Sequence, residues 1–244
     1  MSAELPPPSP FATVHGSPGA RVRFFGLADI YGPFLLVIFL CGYFFHAAVP
    51  FPMPKALAAS LLAALALAAW SVSDRCARRF GMFLKGAQGE EAVARELALL
   101  PAGWTVFHGV PSSAKRGGQD FDHVALGPGG IFAIETKNWA GPLRIEGGAV
   151  TIGGAPVPRS PVVQARRQAN ELAAALRGIL PEGFPVAGIV CFASNGMDVD
   201  ADVVDGTPVC NLRALTRLLR SAPPVEPPPP ETKAKVVSAL LARR

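Results

Sequence analysis

Two carboxylates and a lysine recur at a telling spacing in the stretch Phe121-Asp122-His123-Val124-Ala125-Leu126-Gly127-Pro128-Gly129-Gly130-Ile131-Phe132-Ala133-Ile134-Glu135-Thr136-Lys137. Residues 124–126 and 131–134 are apolar and strand-like, and Gly127-Pro128-Gly129-Gly130 between them is a turn signal. A symmetric turn sets Leu126 opposite Ile131 and, counting outward, Asp122 opposite Glu135. Opposed residues on an antiparallel pair hold their Cβ atoms roughly 5 Å apart, so both carboxylates reach one divalent cation. Strand alternation returns Lys137 to the face of Glu135. Hard oxygen ligands beside a cationic donor suit metal-assisted cleavage of a phosphodiester. Plainer readings exist for each residue. Asp120 is a second acid nearer the loop, and Glu135 with Lys137 makes an ordinary ion pair on an exposed strand. Against the latter, residues 131–134 are apolar on both faces, as in a strand covered from both sides.

Further residues join by helical periodicity. Glu90 precedes Val93, Ala94 and Leu97 by three, four and seven positions, which places it on the inward stripe of a helix. Glu91 falls four before Arg95, a solvent-side pairing. A carboxylate on a buried face needs a partner or a metal, although a first-turn acid is also favoured by the helix dipole. Gln164 and Gln168 share the stripe of Leu172 and Leu176, either as buried amides bonded to backbone or as parts of a site. His123 faces away from Asp122, His108 has no partner legible in sequence, and Trp139 packs or stacks. Lys115, Arg116, Arg166 and Arg167 are candidates for phosphate contacts, a signal of low specificity.

These residues need a frame. A helix over 86–100 ends at Pro101 and Gly103, followed by a strand over 104–110, a basic loop and the hairpin. Residues 142–157 are Gly-rich with short alternating strands. Ser160-Pro161 opens a helix reaching about 177, with Ser as cap and Pro at the first position. Residues 184–193 form a buried strand, and a short strand at 207–210 and a helix over 212–220 follow. This is an α/β domain over 85–221, with a Pro-rich linker and basic tail at 222–244.

The N-terminal third differs. Half of the 244 residues are hydrophobic, 17% are charged and the net charge is +5; mean hydropathy is +0.33. That balance points to a membrane segment. Residues 1–29 read as a disordered tail. Within 30–73, two apolar runs at 33–49 and 56–72 flank a Pro-rich turn and are expected to form a transmembrane helical hairpin. Arg21 and Arg23 precede it and Arg75, Arg78, Arg79 and Lys85 follow it, which expects both ends in the cytoplasm of a bacterial-type inner membrane. The four cysteines, Cys41, Cys76, Cys191 and Cys210, show no C-x-x-C or zinc spacing and read as thiols in a reducing compartment.

The ordered set Lys85-Gly86-Ala87-Gln88-Gly89-Glu90, Phe121-Asp122-His123-Val124 and Gly130-Ile131-Phe132-Ala133-Ile134-Glu135-Thr136-Lys137-Asn138 resembles the nuclease-related domain (NERD) family. Pro161-Val162-Val163-Gln164 is similar to that family's downstream helix, and Phe121 departs from the usual aliphatic residue. The resemblance implies a restriction-endonuclease-like mixed sheet flanked by helices, with an Asp…Glu-x-Lys core. It implies an Mg²⁺- or Mn²⁺-dependent nuclease on DNA or RNA. Asp122, Glu135 and Glu90 would be metal ligands, and Lys137 and Gln164 would support catalysis. The alternative is a non-catalytic module of the same fold that binds nucleic acid or protein.

Overall fold

The computed structural model describes residues 9–18, 31–32, 35–43, 54–112, 120–146, 148–157, 159–194 and 196–243, with some side chains of 55–80 left out. The chain divides into two compact units, one of residues 1–19 and 88–244 and one of residues 20–87.

The first unit is built on a seven-stranded mixed sheet, ordered β1-β2-β3-β4-β8-β10-β9. Its strands are β1 (Thr13–His15), β2 (Thr105–Pro111), β3 (Asp120–Gly127), β4 (Gly130–Lys137), β8 (Val186–Phe192), β9 (Ala201–Val204) and β10 (Thr207–Asn211). Strands β2, β3 and β4 form an antiparallel meander. Strand β8 then joins β4 in parallel, and β10 joins β8 in parallel. The connection from β4 to β8 holds a small antiparallel sheet, β5 (Leu143–Glu146), β6 (Ala149–Ile152) and β7 (Ala155–Pro156), and a helix, Pro161–Ala175. Such crossovers are what parallel neighbours require.

Beside a helical stretch at 35–43, the described α-helices are α1 (Lys55–Ala98), α2 (Pro161–Ala175), α3 (Leu215–Ser221) and α4 (Pro230–Leu241). Val93, Leu97 and Leu219 from α1 and α3 bury one sheet face over Val106, Ala125, Ile134 and Cys191. Leu172 of α2 and Val236 and Leu240 of α4 join Val124, Ile131 and Ala133 in a second cluster. Helix α2 starts as the sequence dictates, with the Ser160 side chain accepting from Val163 N–H and Pro161 in the first turn. It lies unusually close to the sheet. A Cβ on Gly188 would stand 2.4 Å from the Ala165 carbonyl oxygen, so glycine lets helix and strand meet backbone to backbone.

Several expectations change. Residues 9–18, expected within a disordered tail, carry β1, which pairs in parallel with β2 (Thr13 with Thr105) at the sheet edge. A three-residue strand has no periodicity to betray it. Residues 233–241 of the stretch expected as a short basic helix or tail lie in α4, and its Val236 and Leu240 are fully buried. Each such burial stabilises by roughly 1.5–3 kcal/mol, so α4 belongs to the domain. Strand β9 occupies what reads as a loop rich in Asp and Gly, turned into β10 by Asp205 and Gly206, both at positive φ.

The helix expected over 86–100 starts instead at Lys55 and runs 44 residues without a break, about 66 Å at helical rise. It takes in the second apolar run. The first run is described in part, as helix over 35–43, and the turn at 50–53 lies outside the described residues. Among the described residues no helix is long and apolar enough to cross a membrane, so the expected transmembrane hairpin is not supported.

Candidate active site

Strands β3 and β4 pair in the expected register, with Leu126 opposite Ile131 and the ladder ending at His123 and Ile134. One step further, where Asp122 would face Glu135, the strands no longer pair. Asp122 Oδ2 instead accepts a hydrogen bond of 2.8 Å from the Thr136 backbone N–H. The side chain therefore takes up the donor that the ladder leaves, which fixes the carboxyl at the split. Strand β4 stays straight there because β8 still holds it, through Glu135 with Val190 and Lys137 with Phe192.

Glu135 is 2% exposed and carries two bonds. Its Oε1 accepts from Lys137 Nζ, and its Oε2 accepts from Gln168 Nε2 at 2.6 Å. Lys137 Nζ also donates to Gln164 Oε1 at 3.1 Å. Both amides come from the inner side of α2, whose approach to β8 depends on Gly188. Gln164 thus stands where its stripe places it. Gln168 is a site residue that sequence shows only as a buried-stripe amide. Its Oε1 is buried with no hydrogen-bond partner.

Glu90, on α1, stands near enough for its charge to act on Asp122. Gly89 makes this possible: a Cβ there would lie 2.6 Å from Asn138 Cβ, just past the end of β4. Asp122 feels the result. Its pKa is raised well above the usual carboxylate range, first by burial, then by the charges of Glu135 and Glu90. The Thr136 N–H and the Lys137 ammonium pull it down, but they do not prevail. Glu91, expected toward solvent, is half-buried like Glu90.

Hydrogen bonds thus join Glu135, Lys137, Gln164 and Gln168, and Asp122 and Glu90 stand near enough for their charges to act on one another. Carboxylates outnumber the lysine in this partly buried neighbourhood, and hard oxygen donors suit a divalent cation. In the described arrangement, however, no group of three or more His, Cys, Asp or Glu residues stands ready to hold a metal. Lys137 bonds directly to Glu135 instead.

Of the four phosphate candidates, Arg166 and Arg167 are described. Lys115 and Arg116 lie outside the described residues. Arg166 is exposed and bonds to Asp205 of the β9–β10 turn at 3.4 Å, and Arg167 pairs with Glu171 along α2 at 3.5 Å. Trp139 packs on Phe192, with ring centroids 5.5 Å apart. His123 does face away, but it has a cross-strand partner that sequence does not reveal. His108 Nδ1 lies 2.7 Å from His123 Nδ1. Burial and then His108 hold the His123 pKa well below its ordinary value.

The nuclease-related domain family model matches residues 85–193, the segment that holds Glu90, Asp122, Glu135, Lys137 and Gln164. A probable kinase, PglW of Streptomyces coelicolor, is 30% identical over 143 residues, which is 56% of this chain and 9% of that protein. The chain therefore spans less than a tenth of that relative's length. No solved structure matches.

Proposed function

We propose that the domain is a divalent-metal-dependent phosphodiesterase acting on DNA or RNA, with a restriction-endonuclease-like fold. The observation that carries this reading is the Lys137–Glu135 pair beside the Asp122 carboxyl, which the Thr136 N–H holds where β3 and β4 part. Asp122 and Glu135, with Glu90, would hold Mg²⁺ or Mn²⁺. Bound there, the ion supplies Lewis acidity and offsets charge at the phosphate. The chain's own groups do the rest. Lys137 holds and orients the attacking water and stabilises charge building on the phosphorane oxygens. Gln164 fixes the Lys137 ammonium, and Gln168 fixes the Glu135 carboxylate, so both present one orientation to the substrate. The nucleic acid backbone would run past Lys115, Arg116, Arg166 and Arg167. We place the domain on the cytoplasmic side of a bacterial inner membrane, tethered through residues 33–49 and 56–72.

A second reading, a non-catalytic binding module, is favoured by the Lys137–Glu135 ion pair, which engages one of the carboxylate's oxygens. Cleavage of single- and double-stranded DNA and RNA by the purified chain, with Mg²⁺, Mn²⁺ or EDTA, separates the two. Metal-dependent product that EDTA abolishes supports the nuclease. Binding with no cleavage under any of these conditions supports the module.

A further inference from the structure

The unit of residues 20–87 carries an apolar surface for which the nuclease reading has no use. Leu35, Leu36, Val37, Ile38, Phe39 and Leu40 are consecutive in a helix, and each is between 40% and 67% exposed. Consecutive helical residues step about 100° around the axis, so these six look outward in every direction. Leu57, Leu61 and Leu67 repeat the pattern on α1, Leu67 being 72% exposed. A helix that packs on a core shows one apolar stripe and a polar back; one apolar all round belongs inside an apolar medium. Between residues 31 and 73 the only charged side chain is Lys55. Association with a second copy would cover one side of such helices and leave the others in water. The flank of Arg75, Arg78, Arg79 and Lys85 adds a band of charge suited to anionic headgroups.

Strand β1 adds a constraint on topology. It precedes this unit in the chain, yet its backbone is bonded to β2, which follows it, with Thr13 opposite Thr105, Val14 opposite Val106 and His15 opposite Phe107. One sheet cannot be divided by a bilayer, since its backbone groups have no other partners there. We infer that the apolar helical residues 35–40 and the apolar first part of α1 are seated in a lipid bilayer, and that β1 keeps the chain on either side of them on the same membrane face. The segment is then an insertion into the nuclease-related domain rather than a leader in front of it. The inference deepens the tethering proposed above and is independent of whether the site cleaves.

The test uses the full chain, purified in detergent and reconstituted into vesicles of phosphatidylcholine and phosphatidylglycerol. The protein should float with the vesicles through a density gradient and resist extraction by high salt. The variant Leu36→Asp/Phe39→Asp/Leu61→Asp should remain at the bottom, with the domain's thermal transition unchanged as proof that it is folded. A wild-type chain that sediments as a lipid-free oligomer, or a triple variant that floats as well as wild type, overturns the proposal. In cells, Ser9→Cys and Ala242→Cys should show the same reactivity toward a membrane-impermeant thiol reagent, after subtraction of the wild-type signal. Labelling of one position and not the other overturns the same-face assignment. Loss of nuclease activity with flotation intact would count against the enzymatic reading alone.

Discussion

Gly188→Ala tests whether the distance between α2 and the sheet sets the site. The added methyl would sit 2.4 Å from the Ala165 carbonyl oxygen and 2.6 Å from its carbon, where ordinary contacts begin at 3.4 Å. Both atoms are backbone, so no rotamer relieves the clash, and α2 must retreat by about 1 Å. Overpacking of this kind costs about 1–3 kcal/mol. For a domain of this size that lowers Tm by roughly 2–4 °C per kcal/mol. The same retreat acts on chemistry. The Gln168–Glu135 bond, 2.6 Å long, would stretch beyond hydrogen-bond reach. The contact of Gln164 with Lys137, already 3.1 Å, would go first. Misplacement by about 1 Å costs an enzyme up to ~10²-fold in rate. Calorimetry of the full chain and single-turnover cleavage at saturating metal read the two effects. A variant with unchanged Tm and unchanged cleavage would refute the claim that this close approach positions the amides.

Asp122→Asn should raise Tm at neutral pH in EDTA while weakening Mg²⁺ binding, read by calorimetric titration. The sign follows from the raised pKa of Asp122 in the fold. Its stabilising contribution is complete below the unfolded value near 3.9 and is lost as pH rises through the folded value, so the gain from Asn should shrink toward pH ~4. His123 is the opposite case, with its pKa depressed by burial and His108. Its contribution is complete above about pH 6.5 and is lost on acidification, so the double variant His108→Leu/His123→Leu should flatten the fall of Tm below that pH. Leu240→Ala, at a fully buried position of α4, should cost about 2–5 kcal/mol in denaturant unfolding. A cost near zero would return 222–244 to the status of a tail.

Part of the site was legible because its spacing is local. The Gly127–Gly130 turn fixes the β3–β4 register as far as His123 and Ile134, one step short of Asp122 and Glu135. Periodicity likewise puts Gln164 on the side of α2 from which it bonds Lys137, whereas it does not separate Glu90 from Glu91, which are equally half-buried. The sequence does not show that pairing stops at His123, because the Asp122 carboxyl competes with the strand for the Thr136 N–H. Nor does it show the bond from Gln168 to Glu135, or the His108–His123 contact across β2 and β3. These join residues distant along the chain, and no period connects them. The same holds for β1 and α4. One is too short to carry a pattern, and the other follows a run of prolines at 223–230 that reads as a linker. The continuity of α1 was obscured in another way, since apolar residues on all sides at 56–72 and a stripe at 93–97 look like two separate elements.

In the proposed nuclease, Lys137 would act on the water and the transition-state charge, not as a metal ligand. Lys137→Ala and wild type should be compared for metal affinity, nucleic-acid affinity and single-turnover cleavage. Both affinities should stay within a few-fold while cleavage falls by ~10²-fold or more, the loss expected when a stabilising donor is removed. Cleavage undiminished in Lys137→Ala would contradict it and place the chemistry elsewhere.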